Sequence, residues 1–234
     1  MRLYTWQPGA ITFGVNQREE KAFDHSRVGD TPVIRRVTGG RAIYHDPSEL
    51  TYAVAVHSDA SPVPAWQGSR SETAASIAHM LQSFLQAVGI ATDYARQSSA
   101  ENARPDFFHS APCFASHARY ELLGATGKVV ASAQRRLEHS FLQHGAIKFD
   151  GVAPHPALGT DWSGKELAPL DRTRFAFLAN RFEHTFARLY GRSPDTGVID
   201  GIAVERLSRY TEFVRKNSRL RRDVIKQISA GVSL

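Results

Sequence analysis

The most informative segment of the chain is residues 35–46, which read RRVTGGRAIYHD. Thr38, Gly39 and Gly40 separate two short runs with strand character, residues 32–36 and 41–45. Paired glycines let a backbone approach a ligand closely, and the flanking arginines offer donors to a carboxylate, phosphate or thioester oxygen. Spacing alone also fits a tight hairpin with solvent-exposed arginines. The segment therefore predicts either a plain hairpin or a ligand-binding loop.

Outward from this segment, short runs of alternating apolar residues predict further strands. They cover residues 2–6, 11–15, 50–56, 119–123, 129–134 and 141–149. Closely spaced strands joined by glycine-containing turns are typical of a mixed or antiparallel sheet. The sequence thus predicts a sheet-centred α+β protein.

Three segments have helical spacing. Residues 19–28 predict a short helix, and residues 71–88 predict a long one, with Ser69 or Ser71 as N-cap and Gly89 at the C-terminal end. After Asp171, an apolar stripe at helical spacing predicts a packed core helix rather than a ligand site. Its members are Phe175, Leu178, Phe182, Phe186 and Leu189. Residues 198–214 predict a last helix, and the polar residues 97–109 predict a mobile loop.

Composition narrows the class of protein. Of the 234 residues, 42% are hydrophobic and 22% are charged, as in a soluble globular domain. The single cysteine and the absence of a signal peptide or a run of ~20 apolar residues predict a cytoplasmic protein without disulfides or a membrane span. The net charge of +6 fits acidic protein partners as well as nucleic acid. Because no zinc-finger, helix-turn-helix or RNA-recognition motif is present, nucleic acid is not a predicted partner. The basic residues 215–222 are either a solvated tail or a docking surface.

Three further positions could contribute to chemistry. Lys128 ends a GATGK run that is no phosphate loop, because Leu122 and Val129 stand where glycine and Ser or Thr are required, so Lys128 is predicted to lie in a turn. The lone Cys113 is either buried and inert or, near a cation, an available thiolate. His144 is either structural or a ligand-site residue, beside Gly145 in a predicted strand. No histidine spacing predicts a metal site.

Five segments, in this order, resemble motifs of the lipoate–protein ligase A and octanoyltransferase family, which is related to biotin–protein ligases. Residues 35–45 resemble its RRxTGGRAxxH loop, and residues 49–52 the strand that follows. CF at 113–114 with YEL at 120–122 resembles its CF…YEL segment. Residues 127–134 resemble GxKxxGSAQ, and residues 142–145 resemble LQHG. The similarity extends from about residue 3 to residue 150, and more loosely to residue 190. It implies a single domain with a mixed, largely antiparallel sheet flanked by helices.

By position, the resemblance implies that Cys113 is the nucleophile and that Lys128 contacts the acyl carbonyl. It also implies an acyl or substrate site formed by Arg35, Arg36, Thr38, Gly39, Gly40, Arg41, His45, Ser132, Gln143, His144 and Gly145. Residues 1–190 would be the catalytic domain, lacking the family's usual first strand and helix, and residues 191–234 a C-terminal helix and basic tail. Ala131 stands where the family has glycine, so one methyl group is expected to crowd the acyl pocket.

The resemblance implies attachment of an octanoyl or lipoyl group to a lysine of a lipoyl carrier domain. Members of the family that use a cysteine take the acyl group from acyl carrier protein without a cofactor, whereas ligases use free acid, ATP and magnesium and typically add a C-terminal domain. Cys113 and the short segment after residue 190 favour transfer. A ligase without an accessory domain and a non-catalytic partner subunit remain alternatives. The implied partners are acyl carrier protein and a lipoyl-domain protein, such as glycine cleavage H protein or a dehydrogenase-complex lipoyl domain.

Overall fold

Strands dominate the first two thirds of the computed structural model, which describes residues 1–95, 120–125, 127–159 and 167–191. All of these residues belong to one unit, Met1–Pro194, and Asp195–Leu234 form a second unit outside the described residues. The described strands are β1 Arg2–Tyr4, β2 Ala10–Phe13, β3 Val33–Arg35, β4 Ile43–His45, β5 Leu50–His57, β6 Asp93–Tyr94, β7 Leu122–Gly124, β8 Gly127–Arg136 and β9 Ser140–Ile147. The described α-helices are α1 Glu19–Ala22, α2 Pro64–Gln67, α3 Arg70–Ala87 and α4 Arg172–Tyr190.

The larger sheet has the strand order β1-β5-β9-β8-β7-β6, and its described neighbours pair antiparallel. On its helical side, alternate residues of β5 (Leu50, Tyr52 and Val54) enter one apolar core with residues of α3 and α4. Alternation along a strand sends the intervening residues to the other side of the sheet. The larger sheet therefore presents a second face, away from α3 and α4, to the rest of the fold.

The smaller sheet has the order β3-β2-β4, with β2 parallel to β3 and antiparallel to β4. The hairpin interpretation of residues 32–45 is therefore wrong, because β3 and β4 lie on opposite sides of β2. Arg36 stabilises the glycine loop between β3 and β4. Its guanidinium donates to the carbonyl oxygens of Gly39 at 3.0 Å and Arg41 at 2.6 Å. Gly40 has a φ of +91°, a conformation that glycine adopts readily. Together the two sheets confirm the predicted mixed, largely antiparallel architecture.

The two long helices confirm the sequence prediction. Ser69 caps α3 with a reciprocal capping box to Glu72, and Gly89 follows α3 with a φ of +83°. Asp171 caps α4, which buries Leu178, Phe182 and Phe186 in the core. The predicted helix over 19–28 is shorter than expected, because α1 ends at Ala22 and the side chain of Asp24 caps a separate 3-10 turn, His25–Arg27.

Several predictions concern residues outside the described part of the chain. They are the loop at 97–109, Cys113, the helix at 198–214 and the basic residues 215–222. Among the helices that the structure describes, none has the length and apolarity needed to span a bilayer.

Candidate functional site

A cavity of about 160 Å³ lies between the two sheets. The smaller sheet contributes Ile34 and Ile43 to its lining, and the larger sheet contributes Ala131, Ala133 and Ala146. Ala131 and Ala146 face each other across β8 and β9, and they alternate with Val130 and Ile147, which lie in the helical core. Small side chains on the second face of the sheet therefore leave an apolar space for a ligand.

Gly145 lines this cavity and packs closely between two neighbouring strands. It pairs with Tyr52 on one side and Ser132 on the other, so the Tyr52 ring crosses the glycine and its hydroxyl lies 2.7 Å from Ser132 Oγ. A Cβ at Gly145 would come within 2.4 Å of the Ala131 carbonyl oxygen and 2.8 Å of the Tyr52 ring. Gln143 donates to the Tyr52 hydroxyl at 3.2 Å, and therefore faces the helical side of the sheet rather than the cavity. Burial raises the pKa of Tyr52 to about 12, so the hydroxyl stays protonated.

One wall of the cavity is polar. His45 Nε2 lies 2.8 Å from Thr12 Oγ1, which also accepts a hydrogen bond of 3.1 Å from Arg36. Trp6 stacks on His45 with 4.3 Å between ring centroids, and its indole N–H donates to Thr51 at 2.8 Å. Arg36 thus forms hydrogen bonds both to the glycine loop and to Thr12 in this wall.

A buried charged cluster supports the polar wall from behind. His45 Nδ1 donates to Glu49 at 2.6 Å, and the ammonium of Lys148 contacts Glu49 at 2.5 Å as well as the carboxylate of Asp46. Burial disfavours ionised Glu49, but Lys148 and His45 outweigh it and lower the pKa of Glu49 to about 2. Burial likewise opposes the charge on Lys148, yet Glu49 and Asp46 raise its pKa. The cluster therefore keeps its charges paired beneath the cavity.

His144 reaches the cavity from β9. Its Nε2 lies 2.6 Å from the hydroxyl of the buried Thr38, which links the glycine loop to the larger sheet. Burial, reinforced by Arg36 and His45, lowers the pKa of His144 to about 4. The imidazole is therefore neutral at pH 7, which suits an apolar ligand.

Lys128 lies on the cavity side of the larger sheet because of a β-bulge. Leu122 pairs with Val130 but Leu123 pairs with Lys128, so Val129 is an extra residue on β8. Leu122, Val129 and Val130 all enter the helical core. Residues that face each other across a ladder share a side of the sheet, so Lys128 and Leu123 point away from that core, as Ala131 does. Lys128 lies three residues before Ala131, or about 10 Å along the strand.

The prediction that Lys128 lies in a turn is wrong. Lys128 is the second residue of β8, its side chain is only 1% exposed, and its ammonium lies 2.7 Å from the carboxylate of Glu121. Strand pairing to β7 and the buried carboxylate both hold the lysine inside the fold. A buried lysine with this partner differs from the exposed lysine of an ordinary hairpin turn.

The structure brings part of the predicted site together. The predicted residues that line the cavity are Arg36, Gly40, His45, Ser132, His144 and Gly145. Thr38, Gly39 and Arg41 act nearby through hydrogen bonds to His144 and Arg36. Arg35 contacts another region, because its guanidinium packs 4.2 Å over the Phe13 ring and donates to the Gln17 carbonyl.

Several residues of the lining were not predicted from the sequence. They are Tyr4, Trp6, Thr12, Ile34, Ile43, Thr51, Ala133 and Ala146, whereas Ala131, which also lines the cavity, was expected to crowd the acyl pocket. Most of them lie on strands whose pairing brings distant segments together, which no local pattern reveals. A partial signal was available for the alanines, because small residues at alternate positions of a strand mark a face that leaves space for a ligand.

The architecture is that of lipoate–protein ligases. A lipoate–protein ligase A bound with ATP superimposes with a TM-score of 0.59 over 88% of this chain and 79% of that chain, at 16% identity. A bi-partite lipoate protein ligase from Thermoplasma acidophilum superimposes with a TM-score of 0.56 over 95% of this chain and 84% of that chain, at 14% identity. At these identities, the likeness establishes the fold.

The sequence places the chain within a family. The family described as the lipoyl protein ligase A/B catalytic domain matches residues 1–155, and the chain belongs to it. Octanoyltransferase LipM of Clostridioides difficile is 36% identical over 155 residues, covering 64% of this chain and 54% of that protein. Octanoyltransferase LipM of Moorella thermoacetica is 31% identical over 221 residues, covering 92% of this chain and 76% of that protein. The chain thus spans about half the length of several relatives that it matches.

Proposed function

We propose that this protein is an acyltransferase that moves an octanoyl group from acyl carrier protein to a lysine of a lipoyl domain, through a thioester on Cys113. The observation that supports this proposal most strongly is the position of Lys128. The β-bulge turns a buried ammonium toward the side of the sheet that holds the apolar cavity. An apolar cavity and a fixed cation on the same side of the sheet suit a medium-chain acyl tail that ends in a reacting carbonyl.

The proposed chemistry consists of two acyl exchanges. The Cys113 thiolate attacks the thioester carbonyl of the carrier, and the carrier thiolate leaves and takes up a proton. The neutral amine of the acceptor lysine then attacks the enzyme thioester, the Cys113 thiolate leaves, and the amine loses its proton as the amide forms. In both steps, Lys128 donates a hydrogen bond to the tetrahedral oxyanion. No cofactor takes part.

The proposed partners follow from the chemistry and the charge. Acyl carrier proteins and lipoyl domains are generally acidic, and the chain has a net charge of +6. Opposite charges speed the encounter of two proteins and orient them. A glycine cleavage H protein or a dehydrogenase-complex lipoyl domain would serve as the acceptor. The names of the octanoyltransferase relatives support transfer over ligation.

Intact-mass measurement tests this function. The protein is incubated with octanoyl acyl carrier protein without ATP, and we expect one added octanoyl mass that hydroxylamine removes. Cys113→Ala should abolish it, while Cys113→Ser, a near-isosteric control, should lose at least about a hundredfold in rate because an alcohol is a poorer nucleophile.

Two parallel incubations separate the alternatives. Acylation of a lipoyl domain only with free octanoate and ATP would identify a ligase and contradict the proposal. A protein that acylates the acceptor from neither donor would be a non-catalytic partner subunit. Equal acylation by the wild type and Cys113→Ala would also contradict the proposed route.

A further inference from the structure

Glu121 and Lys128 form an ion pair that is almost completely withdrawn from solvent. The Lys128 Nζ and Glu121 Oε2 atoms lie 2.7 Å apart, and their side chains are 1% and 8% exposed. Removing one partner of a buried ion pair leaves an uncompensated buried charge, which is strongly unfavourable. The position of the ammonium is therefore tied to that of the carboxylate.

Two departures from regular backbone geometry lie beside this ion pair. The extra residue Val129 turns Lys128 to the cavity side of the sheet. Glu121 immediately precedes β7, which begins with the core residue Leu122, and Tyr120 has a φ of +69°. A non-glycine residue in this region is uncommon and is held there by its surroundings. The bulge thus places Lys128 where its ammonium meets the carboxylate of Glu121.

We infer that Glu121 is a positioning residue for Lys128, an inference that rests on the proposed function. An ammonium has three donors in a tetrahedral arrangement. The carboxylate takes one of them and fixes the direction of the Cε–Nζ bond. In the proposed reaction, an ammonium held in this way donates to the thioester oxyanion without reorganisation. Glu121 itself does not touch the acyl group.

A double-mutant cycle tests this inference. Acyl transfer from octanoyl carrier protein is measured for the wild type, Glu121→Gln, Lys128→Ala and the double mutant. We expect Glu121→Gln to lower kcat about tenfold and to leave the KM for the carrier nearly unchanged, a size typical of coupled contacting residues. In the Lys128→Ala background, the same substitution should change the rate less than about twofold, because Glu121 acts through the lysine.

Two variants serve as controls. Glu138→Gln removes a carboxylate whose side chain is 86% exposed, near the end of β8, and should leave kcat unchanged. Glu121→Asp keeps the charge and should recover part of the lost rate, which also covers the case in which Glu121→Gln folds poorly. A rate loss in Glu121→Gln that persists in full in the Lys128→Ala background would overturn the inference.

A spectroscopic measurement makes the inference independent of activity. The ammonium resonance of Lys128 is assigned by its loss in Lys128→Ala, and the exchange of its protons with water is followed by NMR. We expect this exchange to be at least about threefold faster in Glu121→Gln, because the carboxylate no longer holds the group. Unchanged proton exchange in Glu121→Gln would overturn the inference, even if the wild-type protein proved inactive in acyl transfer. An inactive wild type together with faster exchange in Glu121→Gln would refute only the proposed function.

Discussion

Ala131 contributes a methyl group to the cavity wall at the point where β8 passes over the apolar space. Of its neighbours in sequence, Val130 lies in the helical core, and the hydroxyl of Ser132 lies 2.7 Å from that of Tyr52. A residue that lines an apolar cavity without making polar contacts sets the volume of that cavity. The methyl group that the sequence was expected to add to the acyl pocket therefore lies in the wall of this cavity.

We predict that Ala131→Val shifts the preferred acyl group to a shorter chain. The two added methyl groups remove space for a tail, and each buried methylene contributes about 0.8 kcal/mol. The ratio of octanoyl to hexanoyl transfer, measured with matched acyl carrier proteins, should fall about tenfold. Ala55→Val, at an exposed position of β5, is the control. An unchanged ratio would show that the acyl tail lies elsewhere.

At the scale of the elements, the site depends on strands that pair irregularly or very closely. The bulge at Val129 aims Lys128, and the absence of a side chain at Gly145 lets Tyr52 reach across β9 to β8. The glycine loop between β3 and β4 is different, because a Cβ at Gly39 would meet no atom within 4 Å. Two glycines of the predicted site therefore have different structural roles.

We predict that Gly145→Ala lowers the free energy of unfolding and that Gly39→Ala leaves it nearly unchanged. A Cβ at Gly145 meets the Ala131 carbonyl oxygen at 2.4 Å, and this backbone atom cannot move without distorting β8. Overpacking of this kind costs about 1–3 kcal/mol of unfolding free energy. Gly39→Ala should change it by less than about 0.5 kcal/mol. Urea denaturation measures both, and equal destabilisation would contradict the assigned roles.

At the scale of the whole molecule, polar contacts between the two sheets keep the cavity in shape. Thr38 bonds His144, and Lys148, which follows β9, bonds Asp46, which follows β4. The pKa of His144 is lowered from 6.5 to about 4, chiefly by burial. Between these values, the unfolded chain binds more protons than the folded one. The free energy of unfolding therefore falls as the pH falls from 6.5 toward 4.

We predict that His144→Gln weakens this pH dependence. Between pH 7 and pH 5 the wild type should lose roughly 1–2 kcal/mol more unfolding free energy than the mutant, as linkage requires for a partly buried group with this shift. Urea denaturation at both pH values measures the difference. His79→Gln, at an exposed position of α3, should behave like the wild type. If His144→Gln lost as much unfolding free energy as the wild type between pH 7 and pH 5, other groups would govern this loss of stability.

Local patterns determined the elements of this protein. The apolar spacing and the Ser69 cap predicted α3, and alternation predicted β5 and β9, because these features depend on residues close together in sequence. The motif segments also indicated the family, since they keep their order along the chain. Six of the predicted site residues, all taken from these motif segments, line the cavity.

Long-range pairing decided the rest. The sequence could not reveal that β2 would lie between β3 and β4, because a strand chooses its neighbours by burial across the whole fold. Nor could it reveal the bulge that moves Lys128 from a predicted turn to a buried position beside Glu121, because a bulge is defined only by the register of two strands. The sequence alone indicated that Lys128 belongs to a candidate site, whereas the tertiary structure decided the direction in which its side chain points.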